Sequence, residues 1–432
     1  MDLFDAIKAY PDIALPIIIK SDMLRCGIKY SNGALEEVER RGDIRLKSYA
    51  LFSYDFSGTT VASQNVPYHI FIADSTDDGT MVQSRVSEET PYLIDYTDGR
   101  FVVYHNQEML VDVHHFGKRA RFADRVTEDG TSYEAYVHTV GDDCLFITAN
   151  KFCEYFSRDK QCLFCDLTPH ASTQKKGGEA MILRVQAERT AEVLDVALHE
   201  TGYRHMIITG GTFLGKYQGK TEIEYYTEFL NTLRANIYLW PMVGFQIGAL
   251  DNEGWRRIHE TGVPSVQPNI EVWDEKLFKI LCPGKSERIG YQEWIKRTIN
   301  AVKYWGRGNV NPSFVPGVEM AKPQGFEKVS DAIKSTSAGY NFLMSNDVLP
   351  RQGGFWCVEP DSKLAGQSPP SLEYYLEIGM AYLEAREKHG FPNPCPACCR
   401  HCLGQGTEYD FAYFHGSTPA SLAAEQNSRP KD

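Results

Sequence analysis

The stretch KFCEYFSRDKQCLFCDLTPH, residues 151–170, constrains this chain more than any other part of it. It carries Cys153, Cys162 and Cys165 in the spacing C-x8-C-x2-C, interleaved with Phe152, Tyr155, Phe156 and Phe164. A C-x2-C pair brings two thiolates to one metal centre from a single tight turn, and a third thiolate on the same loop makes three ligands. Three thiolates on a four-iron cubane leave one iron open to substrate or cofactor, as an open coordination position does in a catalytic zinc site. A zinc knuckle, or three unrelated buried cysteines, is the plainer reading of the same letters.

The segments around the loop alternate between strand and helix patterns. Residues 144–148 (CLFIT) read as a strand that delivers the chain into the loop. Then come a helix at 185–200, a strand at 205–209 ending in Gly210-Gly211-Thr212, a helix at 223–235 and a strand at 238–245. A helix at 252–260 and a strand at 265–272 follow, then a helical stretch over 274–305 interrupted at Cys282-Pro283-Gly284. A strand at 310–316, a helix at 328–337 and a short strand at 341–344 complete the series. Such alternation implies parallel strands with crossover helices, and in barrels of this kind the chemistry sits at the C-terminal strand ends. The expected fold class is α/β, a partial TIM-type (β/α)6 barrel over residues 141–350. Residues 1–140 read as a helical start followed by a β-rich accessory domain, with LFSYDF, YHIFIA, YLIDY, RFVVYH and MLVDVHHF as strands between Gly/Asp turns. His114 and His115 close the last of these as a half-exposed strand end, and residues 116–140 read as a connecting segment. Residues 351–432 form a C-terminal extension with a cysteine cluster, a helix at 371–389 and a disordered tail from Gly416.

The cysteine loop resembles, in widened form, the cluster loop of the radical S-adenosylmethionine superfamily, whose usual spacing is C-x3-C-x2-C. The aromatic before the last cysteine, Phe164, matches the family habit. The ending formed by Asp159, Gln161, Cys162, Phe164 and Cys165 is similar to that of radical enzymes encoded near nitrilases. The resemblance covers about residues 140–350. It implies a 4Fe–4S cluster held by Cys153, Cys162 and Cys165, and S-adenosyl-L-methionine as cofactor. It places the family's glycine-rich motif, which holds the cofactor's amino group, on Gly210, Gly211 and Thr212, where Thr stands in place of the frequent Glu. Gln267, Asn269 and Glu271 alternate along one strand and so share one face; the resemblance assigns Asn269 and Glu271 to the cofactor's ribose and carboxylate. Val315–Glu319 resembles the family's I-x-G-x-x-E stretch near the adenine, one residue short, which favours Gly317 over Glu319; Ser313 alternates inward beside it. No catalytic acid or base is legible.

A second cluster, Cys395, Cys398, Cys399 and Cys402, contains two overlapping C-x2-C pairs, and Cys357 is a further candidate ligand. An auxiliary iron–sulfur cluster, a structural zinc, or capture of a soft substrate such as trivalent arsenic all fit it. Cys26, Cys144 and Cys282 read as small buried hydrophobes. Eleven cysteines in 432 residues, several of them clustered, suit metal ligation in a reducing cytoplasm better than a disulfide framework. The formal net charge of −12 and the lack of a basic run speak against a nucleic-acid surface, and no apolar run is long enough to cross a bilayer. The expected function is an enzyme that reductively cleaves S-adenosylmethionine and directs radical chemistry at a small molecule, served by a flavodoxin- or ferredoxin-like electron donor. Aminocarboxypropyl transfer to arsenic and a zinc-stapled binding protein are the alternatives.

Overall fold

The structure is a computed structural model that describes residues 1–47, 65–73, 79–141, 144–167, 185–201, 205–237, 240–359, 362–391 and 404–416. The expected strand LFSYDF, the four C-terminal cysteines and the tail beyond residue 416 lie outside the described residues.

The chain begins with helices Leu3–Ala9, Leu15–Cys26 and Asn32–Arg41. Asp2 and Ser31 cap the first and third by accepting from the Asp5 and Ala34 N–H groups at 2.8 and 3.0 Å. Leu15–Cys26 is buried on every face, because it lies between a sheet and the later helix Leu372–Lys388. Among the described residues the sheet has six strands in the order Lys29–Tyr30, Tyr92–Thr97, Arg100–His105, Glu108–Phe116, His69–Ala73, Thr80–Gln83. Its central hairpin turns at Asp98-Gly99, both at positive φ (53° and 80°), the backbone a two-residue turn between right-twisted strands requires. His114 and His115 sit on the strand Glu108–Phe116, and the His115 ring stacks on Phe71 at 3.9 Å.

The second half is a curled parallel sheet. Among the described residues its six parallel strands are Cys144–Asn150, His205–Gly210, Met242–Gln246, Val266–Gln267, Ser313–Phe314 and Arg351–Gln352. Pairing is continuous through the first four; single bridges, Val266 to Val310 and Glu271 to Phe314, carry the curl onto the last two. Helices Ala187–Thr201, Glu222–Asn236, Asn252–Glu260, Tyr291–Trp305 and Val329–Ser345 cover the outside. Their starts are written locally: Thr221 and Glu224 form a capping box, and Asp251 accepts from the Gly254 N–H at 2.8 Å.

Three expectations change. The segment 116–140 is more than a connection, because His138–Val140 pairs antiparallel with Cys144–Phe146 as the sheet's edge. Residues 341–344 are not a strand but the last turn of the helix Val329–Ser345. The final parallel strand is Arg351–Gln352, so the sheet runs past residue 350. Among the described residues no helix is long and apolar enough to cross a membrane.

The N-terminal end of the curled sheet is closed by the helix Glu408–Gly416. Lys20 pairs with Asp410 at 2.7 Å, both side chains buried, and Arg351 pairs with Glu408 at 2.8 Å. The Phe411 ring occupies the space a Cβ of Gly379 would need, at 2.2 Å, which seats this helix on Leu372–Lys388.

Candidate functional site

Strand Cys144–Asn150 hands the chain directly to the cysteine loop at the C-terminal edge of the sheet. Cys153 precedes the short helix Glu154–Ser157, and the chain turns back at Asp159, at positive φ (57°), to reach Cys162 and Cys165. The Cys165 N–H donates to the Cys162 carbonyl at 3.0 Å, closing the C-x2-C turn. All three thiols are free of disulfides and half-buried.

Main-chain contacts fix the loop from two sides. On one side is the glycine pair that ends strand His205–Gly210. A Cβ on Gly211 would lie 2.1 Å from the Phe152 carbonyl oxygen, so only glycine lets the strand end pass under the first cysteine. The Gly211 N–H donates to the Asn150 carbonyl at 2.9 Å, and the Glu154 N–H donates to the Thr212 carbonyl at 2.7 Å. On the other side is the junction between helices Glu275–Leu281 and Pro283–Arg288. There the Leu163 N–H donates to the Leu281 carbonyl at 2.8 Å, and the Gly284 N–H donates to the Lys160 carbonyl at 3.0 Å.

This second strap brings in two residues that the sequence reading left aside. Cys282 is fully buried, and the crossed backbone bonds bring its segment against that of Cys162. Lys285 places its ammonium 2.5 Å from Glu271 Oε1, 2.9 Å from the Asn269 carbonyl and 4.8 Å from the Trp294 ring centre. The neighbouring Cys282, helped by the Lys285 ammonium, holds the Cys162 thiol below its ordinary value. Burial pushes Cys153 and Cys165 up. Burial also works against the charge on Lys285, but the Glu271 carboxylate and the two neighbouring thiols outweigh it and hold the ammonium above its ordinary value. Cys153 feels the charge of Cys162, and Cys165 feels that of both Cys162 and Cys153.

The expected cofactor residues fall in two places. Asn269, Glu271 and Ser313 meet around Lys285: the Asn269 side-chain oxygen accepts from the Ser313 N–H at 3.0 Å. Their alternation on one strand does not hold, because the strand stops at Gln267 and Glu271 takes positive φ (70°). Gly317 lies apart, at φ 102° against the Pro370 ring, and its N–H donates to Glu319 at 2.8 Å. Glu319 is buried and also accepts from Thr336 and Tyr374, at 2.6 and 2.5 Å, so it serves the protein interior. At the glycine motif the Gly211 carbonyl already accepts from Tyr226 and Asn150. The structural reason for Gly211 is therefore the cysteine loop itself. Cys357 is fully buried in the core, two residues beyond Phe355.

Inside the curl of strands, toward its N-terminal end, is a cavity of about 290 Å³ walled in part by His205, Gln246, Gln267, Arg351 and Glu408; no described residue of the cysteine loop lines it. Gln246 and Gln267 belong to its lining; Gln246 accepts from Thr209 at 2.7 Å and donates to Gln267 at 3.1 Å. Gly244 leaves the room that the Gln267 amide fills.

The donor set suits a cluster. Among the described residues no three His, Cys, Asp or Glu side chains converge on a point where one ion would sit. A cubane would ask for a wider arrangement, one thiolate to each iron, and three free thiols on one loop are the donor type it would need.

No family model matches the chain. The bacteriochlorophyllide c C-7(1)-hydroxylase of Chlorobaculum limnaeum is 23% identical over 284 residues, 61% of this chain and 66% of its own length. Among solved structures, a methylornithine synthase aligns with TM-score 0.38 and 17% identity over 57% of this chain and 64% of its own. The coproporphyrinogen III oxidase of Escherichia coli, described as a radical SAM enzyme, aligns with TM-score 0.34 and 9% identity over 59% and 54%. HydG, a maturase of the FeFe hydrogenase, aligns with TM-score 0.37 and 12% identity over 59% and 51%. The chain thus spans between about half and two thirds of the length of each protein it resembles.

Proposed function

We propose that this chain is a radical S-adenosylmethionine enzyme acting on a small molecule, with Cys153, Cys162 and Cys165 holding a 4Fe–4S cluster. The observation that carries this reading is the doubly strapped loop: three free thiols fixed by backbone contacts between a glycine strand end and a junction bearing a buried cation. The cluster and S-adenosylmethionine, when bound, supply one-electron reductive cleavage of the sulfonium and a carbon-centred radical. The protein's own part is to bind, orient and exclude water. Glu271 and Lys285 offer an anion and a cation side by side, the complement of the ammonium and carboxylate at the amino-acid end of the cofactor. The reducing electron comes from a flavodoxin- or ferredoxin-like donor.

A second metal site at Cys395, Cys398, Cys399 and Cys402 belongs to the proposal on the strength of its spacing. Three residues after Cys402, the Gln405 carbonyl accepts from the Phe355 N–H at 2.9 Å, close in sequence to Cys357.

Replacing Cys153, Cys162 and Cys165 together by Ala tests the reading. After anaerobic reconstitution the variant should lose the iron of this site and all release of 5′-deoxyadenosine, while the parent is brown. Unchanged iron and cofactor cleavage in the variant would refute it. A colourless, zinc-loaded parent would favour the zinc-stapled binding protein.

A further inference from the structure

We infer that Asn150 and Glu154 are positioning residues for Cys153: between them they tie its segment to four main-chain groups of residues 211–215, so that the first thiol stands in its place before any cluster is bound. The inference rests on the function proposed above only in taking Cys153 as a ligand. The need for such a device comes from the widened spacing. Cys162 and Cys165 share a turn closed by their own main chain, and the bonds at Lys160 and Leu163 strap that turn to the helix junction. Eight residues separate Cys153 from Cys162, so the first thiol stands outside the turn and its place must be fixed separately.

Asn150 is buried at the end of strand Cys144–Asn150. Its side-chain oxygen accepts from the Phe152 N–H at 2.9 Å. Its amide nitrogen donates to the Phe152 carbonyl at 2.8 Å and to the Gly211 carbonyl at 3.2 Å. One side chain thus grips both polar groups of the residue before Cys153 and crosses to the end of strand His205–Gly210. An aspartate of the same shape could keep only the first of these bonds, because a carboxylate has no N–H to give.

Glu154 follows Cys153 directly, and its N–H donates to the Thr212 carbonyl at 2.7 Å. One of its carboxylate oxygens accepts from the Leu214 N–H at 2.7 Å and from the Gly215 N–H at 3.2 Å. The other is held by Arg158, whose Nε lies at 2.9 Å, so the carboxylate is oriented from both sides. Bonds from main-chain N–H groups to an ionised carboxylate are among the stronger ones a protein makes. Cys153 therefore sits between two residues that both reach the segment 211–215. Its main chain cannot swing toward solvent without breaking bonds on each side of it.

The test uses the full chain without cluster. Alkylation of each cysteine by iodoacetamide is followed by mass spectrometry, together with amide hydrogen exchange of peptides covering 211–215; both read local opening. Glu154→Ala loses two bonds to the segment and should alkylate Cys153 about tenfold faster than the parent, with Cys162 and Cys165 within about twofold. Residues 211–215 should exchange faster in the same variant. Glu154→Gln keeps an oxygen acceptor and should restore most of the protection. Asn150→Ala should also speed alkylation of Cys153, and Asn150→Asp, which keeps only the bond inside the loop, should not rescue it. Parent-like alkylation of Cys153 in both Ala variants overturns the inference. A rise shared equally by all three loop cysteines also overturns it, because the loosening is then general. After anaerobic reconstitution, bathophenanthroline should extract iron faster from Glu154→Ala than from the parent or Glu154→Gln. A parent that takes up no cluster but shows the expected alkylation rates refutes the proposed function and leaves the positioning of Cys153 standing.

Discussion

Adding one methyl group at Gly211 should disorganise the cysteine loop without touching a cysteine. In Gly211→Ala the new Cβ would lie 2.1 Å from the Phe152 carbonyl oxygen, 2.5 Å from its carbon and 2.8 Å from the Cys153 Cα. All three atoms are main chain, so no rotamer change relieves the clash. Ordinary contact begins near 3.4 Å, so the Phe152–Cys153 peptide must retreat by about 1.3 Å. Overpacking of this kind costs about 1–3 kcal/mol. The retreat also pulls on the bonds that hold the turn, from Asn150 Nδ2 to the Phe152 carbonyl at 2.8 Å and from the Gly211 N–H to the Asn150 carbonyl at 2.9 Å. Losing one of them adds about 1 kcal/mol, for a total of about 3 kcal/mol. Urea unfolding of the cluster-free protein reads this loss, and iron uptake after reconstitution reads the displacement of Cys153. Gly215→Ala is the matched control, because nothing lies within 4 Å of its Cβ position; it should be neutral or stabilise by up to about 1 kcal/mol. If Gly211→Ala unfolds with the parent and takes up as much iron, the close approach of strand end and loop is not what fixes the loop.

Lys285→Met should cost about 3 kcal/mol in urea unfolding of the cluster-free protein, because it leaves the Glu271 carboxylate buried without its cation. Adding Glu271→Gln should recover part of that loss, and strictly additive losses would count against the pair. For Glu319, burial pushes the carboxyl above its ordinary value, so the folded protein holds that proton more tightly than the unfolded chain. The stability this contributes is fully present below the ordinary carboxyl range and is lost as pH rises through the raised value. The stability of Glu319→Gln relative to the parent should therefore increase as pH is raised from about 4, and a pH-independent difference would show that Glu319 does not titrate this way.

The parts of the fold that were legible are those whose cause is local. The helix Asn252–Glu260 follows Asp251, and Glu222–Asn236 follows the Thr221/Glu224 box, so their limits stand almost where the letters put them. The strands Cys144–Asn150 and His205–Gly210 announce themselves as apolar, β-branched runs. The run NFLM at 341–344 misled for the same reason: it is apolar, yet it continues a helix through Gly339, where a bare Cα admits the Trp273 ring. The last strand, Arg351–Gln352, is polar and two residues long, and only its partner Ser313–Phe314 defines it. At the site, the cysteine spacing and the glycine pair were visible. Cys282 and Lys285 were not, because what makes them relevant is a fold-back of about 120 residues that no window along the chain contains.

The buried pair of Lys20 and Asp410 ties one of the first helices to one of the last described elements, 390 positions apart. During synthesis at about 5–20 residues per second, roughly 20 to 80 s pass between the two. Over that interval the helix Leu15–Cys26 has neither the Asp410 carboxylate nor its seat against Leu372–Lys388. The helix can still bond the N-terminal sheet through Asp22 and Tyr92 in that interval, but Lys20 lacks Asp410 and the face turned to Leu372–Lys388 stays open until the chain is nearly complete. That face is where a chaperone would find the nascent protein, and where a stalled ribosome would leave it most prone to aggregate.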